Sequence, residues 1–123
     1  MFTLFHICRV VLGIIFLMGA INGFFFFFGF DTFLPESPKA IALLGDGYLL
    51  VMVKSVELLG AILLIANRYV VFATLILLPI TVNILAFHLF VDPNLIVGII
   101  VLILFHLYLL FVNRKYYANL LTK

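Results

Sequence analysis

Charge is what this sequence has least of. Of its 123 residues, 10% are Asp, Glu, Lys or Arg, less than half of the roughly 25% found in soluble domains. Hydrophobic residues make up 67%, which leaves too little polar surface to face water. Composition therefore excludes a soluble globular domain, a disordered chain and a secreted disulfide scaffold, and places the protein in a lipid bilayer. Seven Lys and Arg against five Asp and Glu give a formal net charge of only +2. No basic face remains to neutralise phosphates, so a nucleic-acid partner is excluded. Cysteine is almost missing too. Cys8 stands alone, so neither an internal disulfide nor a Cys-x-x-Cys exchange pair can form, and its place beside Arg9 at an apolar stretch reads as a packing residue. No Gly-rich phosphate loop, nucleophile elbow or paired-carboxylate site is present, and the chain is not expected to be an enzyme on its own.

What is there is apolar sequence in long runs. Breaks fall at Asp31 to Asp46, which holds Pro35, Pro38 and Gly45, at Asn67-Arg68, and at Asp92-Pro93-Asn94. They leave four apolar segments, near Val10–Phe30, Tyr48–Ala66, Tyr69–Val91 and Leu95–Val112. Each is about 18 to 23 residues, enough to cross a hydrocarbon core of about 30 Å as a helix. The expected fold is all-α: one transmembrane domain over residues 1–123, a four-helix bundle with both termini on one side. Residues 1–8 hold no Lys or Arg, and the apolar run after Arg9 exceeds the core of a signal peptide, so the first segment reads as a retained helix. Arg9, Arg68, Arg114, Lys115 and Lys123 all fall on the side of the termini. By the positive-inside rule that side is cytoplasmic. Asp31, Glu36, Asp46 and Asp92 fall on the other. Within the outer connection, Ser37 to Leu44 fits a short interfacial helix with Pro38 in its first turn.

The informative residues are the polar ones inside the apolar runs, where a charged side chain costs about 2.5 to 3.5 kcal/mol on insertion scales. They are Asn22, Lys54, Glu57, Asn83, His88 and His106. Counted at about 1.5 Å per residue, Asn22, Glu57 and Asn83 each lie about 12 to 13 Å below the outer ends of their segments, with Lys54 about 9 Å and His88 about 5 Å down. Three helices thus bring polar groups to one layer of the outer half of the membrane. Lys54 and Glu57, three apart, share a helix face and suit an ion pair. Gly60 and Ala61 continue that face, Gly19-x-x-x-Gly23 gives a small-residue face beside Asn22, and Pro79 should kink the third segment just below the layer. Two readings coexist. The polar residues either bond one another to lock the bundle, or line a pocket in which Glu57 handles a proton. The run Phe24 to Phe28 reads as bulky packing near the outer interface or as an aromatic wall. Metal is not expected, because carboxylate clusters and His-x-x-x-His spacings are absent. His6 and His106, both towards the cytoplasmic side with Arg9, are the nearest approach to a haem pair, and haem is not expected either.

The polar pattern resembles the DoxX-like family of small four-helix membrane proteins. It does so through Arg9-x-x-x-Gly13, Gly19-x-x-Asn22 and Phe24 in the first segment, Lys54-x-x-Glu57-x-x-Gly60 in the second, Pro79-x-x-x-Asn83-x-x-x-x-His88 in the third, and the ending Arg114-Lys115-Tyr116-Tyr117. The resemblance covers nearly the whole chain. It implies a multi-pass protein of the bacterial cytoplasmic membrane, with Arg9, Asn22, Lys54, Glu57, Asn83 and His88 as a shared polar site, associated with membrane redox complexes. Gly60-Ala61 stands where many relatives have paired glycines, and no soluble domain is appended, which speaks against thiosulfate chemistry. The first functional expectation is an accessory subunit of a membrane redox system that binds a quinone-like or other lipophilic ligand near Asn22, Lys54, Glu57, Asn83 and His88. The alternatives are a non-catalytic assembly protein with a membrane partner and, more weakly, a small-solute transporter, which with four spans and no inverted repeat would need a homodimer.

Overall fold

The computed structural model describes residues 2–34, 37–94 and 96–121. Pro35, Glu36 and Lys123, read above as loop and topology residues, and Leu95, read as the start of the fourth segment, lie outside the described residues. Among those described the chain is all-helical: α1 (Phe2–Phe28), α2 (Pro38–Leu44), α3 (Tyr48–Ala66), α4 (Val70–Phe90), α5 (Ile96–Val112) and α6 (Arg114–Ala118), followed by a 3-10 turn at Asn119–Leu121. Helices α1, α3 and α4 are long and apolar enough to cross a membrane, and α5 is a shorter apolar helix of 17 residues.

The four long helices close a ring. α1 packs on α3, α3 on α4, α4 on α5, and α5 returns to α1. The core is made of Leu12, Phe16, Ala61, Leu64, Ala73, Leu77, Leu102 and Leu109, all essentially buried. Large apolar side chains also cover the outside: Ile62, Phe72, Leu104 and Leu107 are each about half exposed. A bundle apolar on both surfaces has lipid, not water, as its solvent.

The first helix begins earlier than its sequence suggests. The expected start at Val10 becomes Phe2, because Arg9 does not end the helix at a water boundary; it is buried at 8% exposure and spends its charge on the end of α3. At the other end the helix stops at Phe28 in a Schellman arrangement. Gly29 takes the left-handed conformation (φ 81°), its N–H donates to Phe26 O, and Phe30 N–H donates to Phe25 O at 2.8 Å. The Phe25 and Phe30 rings meet edge to face at 6.0 Å, supplying the apolar contact of that motif. Thus part of the Phe run serves as a helix stop. α3 ends in the same way, with Asn67 left-handed and Arg68 N–H donating to Leu63 O at 3.0 Å. α4 continues as one helix through Pro79.

α2 differs from the four long helices: none of its residues is buried. Ser37 caps it, accepting from Ala40 N–H at 3.3 Å, with Pro38 in the first turn. Polar ties to the α4–α5 connection hold it. Ser37 Oγ donates to Asp92 Oδ2 at 2.8 Å, and Lys39 Nζ donates to Val91 O at 3.1 Å.

Candidate functional site

The polar residues sort into two groups at one end of the bundle and a third at the other. In the first group, Asn22 faces the connection after α1. Its Oδ1 accepts from the backbone N–H groups of Phe33 and Leu34, each at 3.0 Å. Because both partners are donors, the oxygen is assigned to that side and the amide NH2 points the other way. Lys54 Nζ lies 2.9 Å from Glu57 Oε2, with side chains only 18% and 6% exposed. The contact is one of charge: Oε2 is buried without an aligned hydrogen-bond donor. The Lys54 stem lies across Gly23, where a Cβ would come within 2.6 Å of Lys54 Cδ. Between α1, α2 and α3 these residues border a cavity of about 210 Å³, lined by Gly19, Asn22, Gly23, Leu34, Ser37 and Lys54 among others.

The second group lies across α2. A groove of about 720 Å³ runs between α2, the start of α3 and the end of α4. Its walls are Leu43, Leu44, Leu49, Val53, Ile84 and Phe87, and its polar residues are Ser37, Asn83 and His88. His88 Nδ1 donates to Ile84 O at 2.8 Å. A carbonyl only accepts, so in the neutral ring Nε2 is left as the acceptor. Ser37 and Ala40 line both spaces, so the first turn of α2 is a wall common to the two. The single layer expected for Asn22, Lys54, Glu57, Asn83 and His88 is therefore divided. Asn22 and Lys54 border the smaller cavity, with Glu57 against Lys54, while Asn83 and His88 border the groove. Asn83, expected inside the bundle, is exposed on the groove side.

The third group, at the opposite end, is engaged in fastening helices. Arg9 donates to Leu64 O and, at 3.0 Å, to Ile65 O, and its Nε donates to His6 Nδ1 at 3.3 Å. Those two carbonyls belong to the last turn of α3, where the helix dipole favours a cation; Leu64 O also accepts from the Asn67 N–H at 3.2 Å. His106 is buried between α4 and α5, with Nε2 donating to Thr74 O at 2.9 Å and Nδ1 2.8 Å from Thr81 Oγ1. Thr74 Oγ1 in turn meets the Tyr117 hydroxyl, which donates to Val71 O at 3.0 Å. Burial pushes the Tyr117 phenol above its ordinary pKa, partly offset by Thr74. His6 thus bonds Arg9 within α1, whereas His106 joins α5 to α4 with both of its nitrogens engaged. Thr74 and Thr81 do not stand out in the sequence, and Tyr117, Ser37 and Asp92 stand out there only as ending, helix start and topology residues. Thr74 and Thr81 are seven apart, two turns along one helix face, which was the available signal.

Asp92 lies outside the apolar helices. Its carboxyl is held below the ordinary range by the Ser37 hydroxyl, with smaller help from Asn94 N–H and from the charges of Lys39 and His88. Among the described residues no group of three or more His, Cys, Asp or Glu is placed to hold a metal. Compared with known protein families, curated proteins and solved structures, the chain shows no match.

Proposed function

We propose that this is a DoxX-like protein of the bacterial cytoplasmic membrane. In this reading it has four spans with both termini cytoplasmic, and it holds a quinone-like lipophilic ligand in the groove between α2, α3 and α4 as a non-enzymatic accessory subunit of a redox system. The observation that carries the reading is the groove itself. Its volume of about 720 Å³ falls in the range of about 300 to 1,000 Å³ of small-molecule sites, with apolar walls and few polar groups, as such sites have. The carbonyl oxygens of a quinone only accept, so the Asn83 amide NH2 is the donor that suits one of them, while His88 Nε2, an acceptor in the neutral ring, suits the hydroxyl of the reduced hydroquinone. Four spans are supported by the α1–α3–α4–α5 ring, since α5 at 17 residues reaches about 26 Å, and by Arg9, Arg68, Arg114 and Lys115 at one end of it.

The test is saturable binding of a short-chain benzoquinone to the protein in phosphatidylcholine nanodiscs. Val53→Trp, which fills the groove, should remove binding, and Asn83→Leu should weaken it about tenfold. Binding unchanged in Val53→Trp would overturn the site, and no binding at all would overturn the ligand class. A second reading, an assembly protein without a ligand, is favoured by the spending of Arg9, Thr74, Thr81 and His106 on helix contacts. It predicts a stoichiometric partner on crosslinking in native membranes.

A further inference from the structure

The smaller cavity is lined by a cationic donor, Lys54, which the groove lacks. Lys54 carries three N–H donors, and among the described residues its polar partner is Glu57 Oε2, at 2.9 Å and without hydrogen-bond alignment. Asn22 uses its oxygen on Phe33 and Leu34, so its NH2 group is the part left over. Ser37, the other polar lining residue, already donates to Asp92 and accepts from Ala40. The polar capacity left on these walls is therefore donors from two side chains on facing helices, α1 and α3. Both residues are half-buried against a mostly apolar wall, and an acceptor-only group meets such donors best.

We infer that the cavity between α1, α2 and α3 is a carboxylate-binding site, in which Lys54 Nζ and the Asn22 amide donate to the two carboxylate oxygens. A carboxylate fits better than a phosphate or sulfate dianion. The single cation, Lys54, already shares its charge with Glu57, so a second negative charge on the ligand has nothing to balance it. A volume of about 210 Å³ holds a carboxyl group and a few carbons or waters, not a whole lipid. Gly19 contributes room on the wall, since a Cβ there would meet nothing within 4 Å. The incoming carboxylate competes with Glu57 for Lys54, so Glu57 sets the affinity without touching the ligand.

Whether the carboxylate belongs to a small free acid or to an amphiphile whose tail leaves into the bilayer is decided by titrating two probes, acetate and decanoate. Each is measured by calorimetry against the protein in phosphatidylcholine nanodiscs, with empty nanodiscs as the blank. Saturable binding of acetate marks a free acid, and of decanoate alone an amphiphile. Glu57→Gln should tighten binding several-fold by freeing Lys54, a result that general loss of folding cannot imitate. Asn22→Asp keeps an acceptor for Phe33 and Leu34 but replaces the donor by a negative oxygen, and it should weaken binding at least about tenfold. Gly19→Leu, which fills the cavity and leaves both donors in place, should do the same. Neither probe binding above the blank, or binding unaltered in Asn22→Asp and Gly19→Leu, overturns the proposal. Quinone binding in the groove is read separately, so either site can fail alone.

Discussion

Arg9 of α1 donates to the Ile65 carbonyl in the last turn of α3, 3.0 Å away, and so fastens the start of one helix to the end of its antiparallel neighbour. The same nitrogen, Nη1, also donates to Leu64 O while Nε donates to His6 Nδ1, a set that a lysine ammonium, with one nitrogen on a shorter stem, reproduces only in part. Leu64 O keeps the Asn67 N–H, but removing Arg9 takes the donor from Ile65 O in an apolar setting. Arg9→Met should therefore lower stability by about 1 to 3 kcal/mol, and Arg9→Lys should recover only part of the loss. Thermal unfolding in detergent micelles measures both. A wild-type melting temperature for Arg9→Met would show that the contact contributes nothing.

His106 joins α5 to α4 through Thr81 and the Thr74 carbonyl. Interhelical hydrogen bonds in membranes average about 0.6 kcal/mol and reach about 1.7. Thr81→Val should cost an amount in this range, and far less when His106 is already Leu, because the hydroxyl then has no partner. A double-mutant cycle on unfolding free energy reads the coupling. Additive effects would mean that the two residues act independently.

That the polar residues are costly is legible from their place in apolar runs; their partners are not. Asn22, Lys54 and Glu57 were found as costly residues at one level, and Lys54 with Glu57 as a pair at helical spacing, because such costs are local to a helix. That Asn22 instead binds Phe33 and Leu34 depends on the chain reversing at Gly29, and the left-handed turn there was hidden within a run of phenylalanines. Asn83 and His88 face a separate space because α2 lies between, and a helix with no buried residue leaves little apolar pattern to fix its place. Arg9 was visible as a cation near an interface. Its binding to α3 needed the antiparallel packing of two helices separated by the whole outer connection. Thr74 and Thr81 were missed for another reason: a threonine satisfies its hydroxyl within its own helix, as Thr74 does on Val70 O at 3.0 Å, so it does not stand out as costly.

Asp92 makes the hold on α2 sensitive to acid. Its carboxyl pKa is lowered in the fold, first by the Ser37 hydroxyl. A group with a depressed pKa adds stability above its unfolded value, about 3.9, and that contribution is lost as pH falls through the lower folded value. Amide hydrogen exchange in α2 should therefore be unchanged by Asp92 titration near neutral pH and should quicken below about pH 4, after correction for the intrinsic rate. In Asp92→Asn the exchange should be faster at neutral pH and lose this acid step. An acid step of the same size in Asp92→Asn would assign it to another group.

The glycines of α1 should respond oppositely to added side chains. At Gly13 a Cβ would stand 2.8 Å from Ile65 Cγ1 and 3.3 Å from the Ala61 carbonyl oxygen, so α1 and α3 touch there nearly backbone to backbone. At Gly19 it would meet nothing within 4 Å. Gly13→Leu must push α3 away and, through Leu64, disturb the end that Arg9 holds; overpacking of this kind costs about 1 to 3 kcal/mol. Gly19→Ala adds a methyl to open space and gains up to about 1 kcal/mol in helix propensity. Thermal unfolding should order the variants as Gly19→Ala at or above wild type and Gly13→Leu clearly below. The reverse order would place the close approach of α1 and α3 at Gly19, at the smaller cavity, and would remove the room assigned there to a ligand.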